Sequence, residues 1–383
     1  MQGLEGPDEM RIGIDVRELT GRTTGVGRYL AGLLREWSSP GAGVAGRHRF
    51  VLYSPSRLGE DLDPVLVSLG AESKVVPGTG GTRWEQLSLA AAANRDGLDA
   101  FFAPGYTAPV RARCPVVLTI HDLSFFAHPE WFRWREGVRR REVTRRSAEG
   151  AAAILTDSEF SRGEIARHLG ITGARVRVVP LGAGAPAWFP GPDGPGRGEA
   201  PDAREAFVLY AGSIFNRRRV PDLVSAFPAV AAAVPGARLD IVGENRTFPF
   251  QDIEALGRKT GLGDRIRVRS YVPEAELANA FRHASAFVFL SEYEGFGLTP
   301  LEALACGVPV VLLDTPVARE VCGAAALYVA PDDIAGLSRA ITSLLVDAEA
   351  RRALLDEAAR VLGRYSWAAS ARETLDTIES AGA

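Results

Sequence analysis

Ten short segments rich in Val, Ile, Leu and Phe alternate along the chain with longer segments of helical periodicity. Strands that are apolar at nearly every residue are buried on both faces, and strands separated by helices pair in parallel. The predicted strands are 11–16, 49–54, 98–103, 115–120 and 151–156 in the first half, and 207–211, 237–242, 265–269, 285–290 and 308–312 in the second. The pattern therefore predicts an α/β protein in which a parallel sheet forms twice.

A segment rich in proline and glycine separates the two halves. Residues 185–206 contain five prolines and four glycines, which can continue neither a helix nor a central strand. We interpret this segment as the linker between a first Rossmann-like domain, residues 10–190, and a second, residues 207–365. Residues 366–383 have apolar side chains at helical spacing and are predicted to form a helix that packs back towards the first domain.

The length of 383 residues fits two domains, and the composition excludes several classes of protein. A formal net charge of -3 argues against nucleic acid as a partner. The three cysteines are widely spaced and form neither a disulfide framework nor a zinc motif. The N-terminus is acidic, and no apolar run reaches the roughly 18 residues of a membrane span. We therefore expect no signal peptide, no transmembrane helix and a cytoplasmic location.

Four unusual segments lie at or beyond the carboxyl ends of predicted strands. The loop Thr20–Gly27 follows the first strand, and His121-Asp122 follow the fourth. Arg217–Arg219 lies a few residues past the sixth strand, and Glu294–Gly297 follows the ninth. Open parallel sheets bind their ligands beyond the carboxyl ends of the strands. Because each half contributes two of these segments, we expect a cleft between the domains to gather them, as in a two-domain enzyme.

The loop with Gly25 and Gly27 opens onto a predicted helix. Glycines allow the backbone to approach a phosphate closely, and a helix N-terminus favours its negative charge. The loop lacks the third glycine of the dinucleotide-binding fingerprint. A plain tight turn therefore remains an alternative to a phosphate site.

Glu294 and Glu302 form a Glu-x7-Glu pair on either side of Gly-Phe-Gly-Leu. Eight positions along what is largely a helix separate their backbones by about 12 Å. Glycosidases need their two carboxyl groups about 5 Å apart for retention, or roughly 6.5–9.5 Å apart for inversion. The spacing therefore argues against direct hydrolysis of a glycoside.

Glu302 has two interpretations at this stage. Thr299 has the character of an N-cap, Pro300 that of a first helical residue, and Glu302 falls three residues after the cap, as in a capping box. In the functional interpretation, the amides of Gly297, Leu298 and Thr299 bind phosphate oxygens, and Glu302 binds ribose hydroxyls.

Residues 128–146 contain seven arginines and three glutamates, with aromatic side chains at Trp131, Phe132 and Trp134. Basic residues beside exposed aromatic side chains can hold a helix against an anionic bilayer. The interpretation is therefore either a peripheral contact of 131–146 with the inner membrane surface, or a solvated helix whose aromatic side chains pack inward.

Several motifs together resemble glycosyltransferase family 4, whose members are retaining enzymes of the GT-B fold. The segment SEYEGFGLTPLEALACGVPVV resembles the family's donor-binding signature. GVGRY, TIHDLSFFAHPEWF and TDSEFSR resemble the mannosyltransferase branch that builds O-antigen and capsular chains, and AGSIFNRRRVPDLVSAF and the closing YSW also fit. The resemblance extends over nearly the whole chain and implies two Rossmann-like parallel-sheet domains that face an interdomain cleft.

The resemblance also implies roles for the second-half motif. Glu294 contacts the donor sugar near its anomeric centre, and Glu302 contacts the ribose of the nucleotide. The amides of Gly297, Leu298 and Thr299 bind the diphosphate.

Further roles are implied for residues of other motifs. His121 hydrogen-bonds a hydroxyl of the transferred sugar, although a satisfied histidine at a strand end remains an alternative. Gly25 and Gly27 line the phosphate side of the cleft. The nucleotide base rests against the backbone near Tyr271 and Val272.

One motif departs from the family. Its usual Arg-Lys-Asn is replaced here by Arg217, Arg218 and Arg219, so Arg218 stands where the family has its diphosphate-binding lysine. Arginine keeps the charge and adds a planar fork, but its reach and shape differ. A solvated start of a helix is the alternative interpretation of this run.

The reaction that the resemblance implies is retaining transfer of a sugar from a nucleotide diphosphate sugar to a hydroxyl of a glycan or lipid-linked glycan. We expect GDP-mannose as donor; a UDP-sugar donor and a catalytically inactive binding module are the alternatives. Arg217, Arg218 and the helix amides would take up the charge of the departing diphosphate. We therefore expect neither a metal nor another cofactor. Asp61 and Asp63 form an Asp-x-Asp, but they lie in a polar loop with no buried strand directly before them.

Overall fold

The computed structural model describes residues 9–21, 24–184 and 206–383. The predicted linker, 185–206, lies outside the described residues except for Ala206.

The described residues form two compact units. The first unit contains the described residues up to 182, except 130–132, and also residues 365–383. The second holds 130–132 and the described residues from 183 to 364.

A seven-stranded parallel sheet forms the first unit, in the order β3-β2-β1-β4-β5-β6-β7. Its central strands are the apolar ones, and they are buried. The strands are β1 (Arg11–Asp15), β2 (Arg49–Ser54), β3 (Glu72–Val75), β4 (Ala100–Ala103), β5 (Val116–Thr119), β6 (Ala153–Thr156) and β7 (Val176–Val178). The α-helices are α1 (Gly25–Ser38), α2 (Asp63–Leu69), α3 (Ala90–Arg95), α4 (Ser124–Ala127), α5 (Trp134–Gly150), α6 (Glu159–Leu169) and a C-terminal helix (Trp367–Gly382).

Helix α1 packs against the C-terminal helix. The Thr24 hydroxyl accepts a hydrogen bond from the Gly27 amide at 3.0 Å and begins the helix. Its apolar side chains recur at helical spacing, and Leu30 and Trp37 are fully buried. The Trp37 indole donates to the Ala371 carbonyl at 2.9 Å, so the C-terminal helix packs on α1 within the first unit.

A six-stranded parallel sheet forms the second unit, in the order β10-β9-β8-β11-β12-β13. The strands are β8 (Phe207–Ala211), β9 (Arg238–Val242), β10 (Ile266–Arg269), β11 (Ala286–Phe289), β12 (Val310–Leu313) and β13 (Ala326–Val329). The α-helices are α7 (Val220–Ala233), α8 (Ile253–Lys259), α9 (Glu274–His283), α10 (Leu298–Ala305), α11 (Pro316–Cys322), α12 (Ile334–Val346) and α13 (Ala348–Leu362).

The prediction of two Rossmann-like parallel sheets is confirmed. All ten predicted strands are present, with bounds that differ by at most two residues. The sequence missed β3, β7 and β13, which all lie at a sheet edge. In each sheet the strand order reverses at one point, between β1 and β4 and between β8 and β11, and ligands of open α/β sheets bind at such points.

In the part of the chain that the structure describes, none of the helices combines the length and the hydropathy that a membrane crossing requires.

Candidate active site

The loops with the predicted arginines and Glu294 follow two neighbouring strands of the second sheet. Strands β8 and β11 pair with each other, with Leu209 opposite Phe287. Strands β9 and β10 continue the sheet on one side of this pair, and β12 and β13 continue it on the other. The arginines and Glu294, which are predicted to bind the nucleotide sugar, therefore lie at the point where the strand order reverses.

Arg218 is held by several groups of its own unit. Its Nε donates to Oε1 of Glu294 at 3.2 Å, and its Nη1 donates to the Ser213 carbonyl at 2.9 Å. The guanidinium carbon lies 4.8 Å from the centre of the Phe289 ring and 5.6 Å from that of Phe215. Burial opposes the charge, but Glu294 and Tyr210 together outweigh burial, so the pKa of Arg218 is raised. Arg218 is thus a fixed cation.

Arg217 makes fewer contacts. Its guanidinium carbon lies 4.6 Å from the centre of the Phe215 ring, and its Nε is 3.8 Å from Oε1 of Glu294, beyond hydrogen-bond distance. This Nε is buried and has no hydrogen-bond partner among the described residues. Unpaired buried donors are uncommon because they destabilise the fold. The Arg217 side chain therefore retains capacity for an acceptor such as a phosphate oxygen.

Glu294 is oriented by a hydroxyl as well as by the arginines. The Ser291 Oγ donates to its Oε1 at 2.8 Å, and only 18% of the Glu294 side chain is exposed. Glu294 also lines a recess whose other residues, most of them apolar, lie at or beyond the carboxyl ends of β11 and β12. The carboxylate therefore has a defined orientation at the carboxyl end of the sheet.

Arg219 fixes the arginine-bearing turn. Its backbone has a φ of 46°, a left-handed conformation that strains a residue with a side chain. Its guanidinium binds three carboxylates, donating to Asp222 at 2.5 Å, to Glu292 at 2.8 Å, and to Asp332. The Glu292 amide donates to the Arg217 carbonyl at 2.8 Å. Arg219 therefore holds the two preceding arginines beside the Glu294 loop.

The start of helix α10 differs from the prediction. The expectation that Thr299 is the N-cap and Pro300 the first helical residue is wrong, because the N-cap is Gly297, with φ 96° and ψ 54° and no side-chain cap bond. Only glycine adopts this backbone without strain. Thr299 lies inside the first turn, so it does not form the capping box with Glu302. The amides of Leu298 and Thr299 have no acceptor within their own helix, as a phosphate site requires.

The residues predicted to contact the nucleotide also lie in the second unit, on elements that follow strands of its sheet. Glu302 is buried on α10. Tyr271 is 71% exposed and Val272 is buried, both after β10, two strands from β8. The backbone predicted to meet the base therefore follows the outermost strand, at the same carboxyl edge as Arg217.

Gly25 and Gly27 lie after β1, at the strand reversal of the first sheet. A Cβ at Gly25 would meet no atom within 4 Å, whereas one at Gly27 would lie 2.6 Å from the Glu18 carbonyl oxygen. Gly27 is therefore required by the packing of α1, whatever else it contacts. Arg22 and Thr23 of the same loop lie outside the described residues.

His121 follows β5 and is nearly buried. Its Nδ1 lies 2.7 Å from Oδ2 of Asp157, and its Nε2 lies 2.8 Å from the Pro104 carbonyl oxygen. Burial disfavours the charged ring, but Asp157, the Pro104 carbonyl and Asp122 together outweigh burial, so the pKa of His121 lies above its usual value. Both nitrogens thus have protein partners, and the bond to a sugar hydroxyl stays a prediction.

Asp61 and Asp63 contribute no metal centre to the described structure. Asp61 lies in a single helical turn, Glu60–Leu62, and Asp63 begins α2; both side chains are exposed. Over 9–21, 24–184 and 206–383, no three His, Cys, Asp or Glu side chains are grouped so that they could hold a metal ion.

Helix α5 presents a basic surface with apolar side chains. Trp134 is 75% exposed and Val138 is 41% exposed, so Trp134 does not pack inward as one interpretation expected. Arg135 and Arg139, on the same helix, are also exposed.

Sequence reasoning missed four residues of these arrangements. Ser291 orients Glu294, Phe215 and Phe289 stack on the arginines, and Asp157 pairs with His121. The sequence offered one indication of their importance, which is that all four lie within or next to the quoted motifs. Their partners become evident only once the strands are paired.

Two family models match the chain. The model described as Glycosyl transferases group 1 matches residues 197–361, and the model described as Glycosyltransferase Family 4 matches residues 23–183. Together they cover most of both units.

Relatives and solved structures agree with these matches. The O-antigen chain mannosyltransferase B of Escherichia coli is 30% identical over 282 residues, which are 73% of this chain and 74% of that protein. The sucrose-phosphate synthase of Thermosynechococcus elongatus has a TM-score of 0.75 at 19% identity, covering 97% of this chain and 99% of that one. HepE of Anabaena, solved with UDP and glucose, has a TM-score of 0.72 at 18% identity, covering 97% and 100%.

Proposed function

Because the chain belongs to glycosyltransferase family 4 and is a glycosyltransferase of the GT-B fold, we propose that it transfers mannose from GDP-mannose to a hydroxyl of a glycan or lipid-linked glycan, with retention of configuration. The observation that carries this proposal is the grouping of Glu294, Arg217 and Arg218 at the strand reversal of the second sheet. Similarity to an O-antigen mannosyltransferase supports mannose as the sugar. A UDP-sugar is the second candidate donor, because a structural neighbour was solved with UDP and glucose.

The proposed donor site stabilises the leaving group. Arg217 has a buried Nε without a hydrogen-bond partner in the described structure, so its guanidinium suits a diphosphate oxygen. The amides of Leu298 and Thr299 supply further donors from the start of α10. These groups are positioned before the reaction, so they stabilise the developing charge without reorganising.

Glu294 is assigned to the sugar and not to covalent catalysis. Ser291 and Arg218 both contact its Oε1, so we assign Oε2 to a hydroxyl of the donor sugar. In the proposed step the bond from C1 to the phosphate oxygen breaks, and the acceptor oxygen bonds to C1 on the same face. The acceptor proton passes to the departing phosphate oxygen, which balances the reaction.

We also propose that transfer needs no divalent metal. A departing nucleotide diphosphate carries several negative charges, which a cation must neutralise. Arg217 and Arg218 provide two fixed cations at the proposed site. Hydrogen bonds to charged groups contribute about 1.5–3 kcal/mol each, so three or four match the several kcal/mol that a metal supplies.

Binding of nucleotides tests the donor assignment directly. The melting temperature is measured with GDP, UDP, ADP and TDP, each in excess over its dissociation constant. At about 100 times that constant, a ligand stabilises the folded state by about 2.7 kcal/mol. We expect the melting temperature to rise selectively with GDP. A rise with UDP alone would indicate a UDP-sugar as the donor in place of GDP-mannose. No response to any of the four would contradict a donor site.

We further propose that the basic surface of α5 contacts anionic lipid on the inner membrane face. Exposed Trp134 and Val138, with Arg135 and Arg139 on the same helix, combine apolar side chains with positive charge. The protein should co-sediment with vesicles that contain anionic lipid, and added salt should release it by screening the charges. Equal sedimentation with neutral vesicles, or none with either, would contradict the electrostatic contact.

A further inference from the structure

The ring of His121 lies between acceptors from both neighbouring strands. Strand β5 pairs with β4 on one side and with β6 on the other. Pro104 directly follows β4, and its carbonyl oxygen lies 2.8 Å from Nε2; Asp157 directly follows β6, and its Oδ2 lies 2.7 Å from Nδ1. The Ser161 hydroxyl donates to the His121 carbonyl at 3.0 Å. The sheet topology therefore fixes the ring from both sides.

These contacts constrain the protons on the ring. A carbonyl oxygen only accepts hydrogen bonds, so Nε2 must carry a proton towards Pro104. Nδ1 then either donates to a carboxylate or accepts from a protonated Asp157. Burial raises the pKa of the Asp157 carboxyl. An imidazole nevertheless binds a proton more tightly than a carboxylate does, since the usual pKa is about 6.5 for histidine and about 3.9 for aspartate. The proton therefore belongs to the ring.

Two tyrosines and a second carboxylate also surround His121, and none of them opposes this charge state. The Tyr29 and Tyr106 rings meet it edge-on, with centroids 4.9 and 5.6 Å away. Burial raises the pKa of the Tyr29 phenol, so that group stays neutral. Asp122 is the other carboxylate that acts on His121, and it binds the Tyr106 hydroxyl at 3.0 Å. The ring thus faces two carboxylates, of which only Asp157 bonds to it.

We propose that Asp157 is a positioning residue for sugar transfer, whose carboxylate holds His121 as an imidazolium with both ring nitrogens protonated. The inference rests on the proposed transfer reaction and adds a residue and a charge state to it. A charged donor makes stronger hydrogen bonds than a neutral one. A sugar hydroxyl that reaches the Nε2 proton would share it with the Pro104 carbonyl and meet a charge-assisted donor.

Nuclear magnetic resonance of the histidine rings tests the charge state without substrate. The chain has five histidines, so the His121 signals can be assigned by their loss in His121→Gln. We expect two protonated ring nitrogens near neutral pH. Asp157→Asn keeps an acceptor for Nδ1 but removes the charge, and should lower the pKa of His121 by about 1 to 3.

Asp122→Asn is the matched control, because it removes a nearby carboxylate that does not bond to the ring. It should lower the pKa of His121 by less than Asp157→Asn does. A ring with a single proton near neutral pH would place the other proton on Asp157 and overturn the proposal. An unchanged pKa of His121 in Asp157→Asn would overturn it as well.

The pH profile of turnover tests the link to catalysis. The charged ring exists below its pKa, so kcat with GDP-mannose should fall as pH rises through that value. In Asp157→Asn this fall should move to lower pH by the amount that the resonance titration gives, with activity recovered at acidic pH. A loss of kcat that is equal at all pH values would indicate a merely structural role and overturn the proposal. If no nucleotide sugar is turned over, the proposed function fails, while the resonance titration still decides the charge state.

Discussion

Replacing Arg217 with alanine should separate activity from stability. Its guanidinium stacks on Phe215 at 4.6 Å, and its Nε is buried without a hydrogen bond in the described structure. Loss of the stack costs about 0.5–1 kcal/mol, and removal of the unpaired buried donor offsets part of that cost. The free energy of unfolding should therefore change by less than about 1 kcal/mol, or about 2–4 °C in melting temperature.

The effect of the same substitution on transfer should be much larger. Two charge-assisted hydrogen bonds from the Arg217 fork to the departing diphosphate contribute about 3–6 kcal/mol. Since about 1.4 kcal/mol corresponds to a factor of ten, kcat/KM should fall by about 100- to 10,000-fold.

The assay compares the release of GDP from GDP-mannose by wild type, Arg217→Ala and a matched control. Arg238→Ala is that control, because the Arg238 guanidinium stacks on Phe207 at 4.8 Å, at the opposite, amino ends of β8 and β9. The control should retain wild-type turnover. Turnover by Arg217→Ala within about threefold of wild type would refute the role in the transition state. A large loss of melting temperature in that variant would refute the stability argument.

Further substitutions and conditions test other parts of the site. Glu294→Gln should abolish transfer and leave the fold intact. Glu292→Gln, in the same loop, should retain transfer, because its amide oxygen can still accept from Arg219 and the backbone bond to Arg217 remains. Glu302→Ala should weaken GDP binding about tenfold or more; a lower melting temperature with unchanged GDP affinity would instead indicate a structural glutamate. Activity should persist in excess EDTA, and complete loss that magnesium or manganese restores would contradict the proposed leaving-group stabilisation. The raised pKa of His121 predicts stability that is present below about pH 6.5 and lost as pH rises through the folded-state pKa, with a smaller loss in Asp157→Asn.

The sequence predicted the central strands but not the edges of the sheets. Strand β4 is apolar at every residue and β5 at every residue but Thr119, and all of these residues are buried. That pattern identifies the two strands without tertiary information. Strand β3 reads Glu-Ser-Lys-Val and is largely exposed, and β7 has only three residues. A strand with one neighbour needs neither length nor two apolar faces, so its residues do not stand out from a loop.

The residues of the candidate site were predictable by type, and their arrangement was not. Glu294 and Arg218 lie 76 residues apart in sequence, and their contact depends on the pairing of β8 with β11. The capping prediction at Thr299 failed because Gly297 takes a left-handed backbone conformation and begins the helix earlier. Asp157 gave no separate signal, because its bond to His121 exists only once β5 pairs with β6.

The configuration of the first product tests the central claim most directly. Water serves as an acceptor that needs no identification, so GDP-mannose is incubated with the protein in EDTA and the anomeric proton of the released mannose is followed by nuclear magnetic resonance before the anomers equilibrate. The account predicts α-mannose as the first product, released by wild type and by Arg238→Ala but not by Arg217→Ala or Glu294→Gln. Initial release of β-mannose, or equal release by all four proteins, would contradict it.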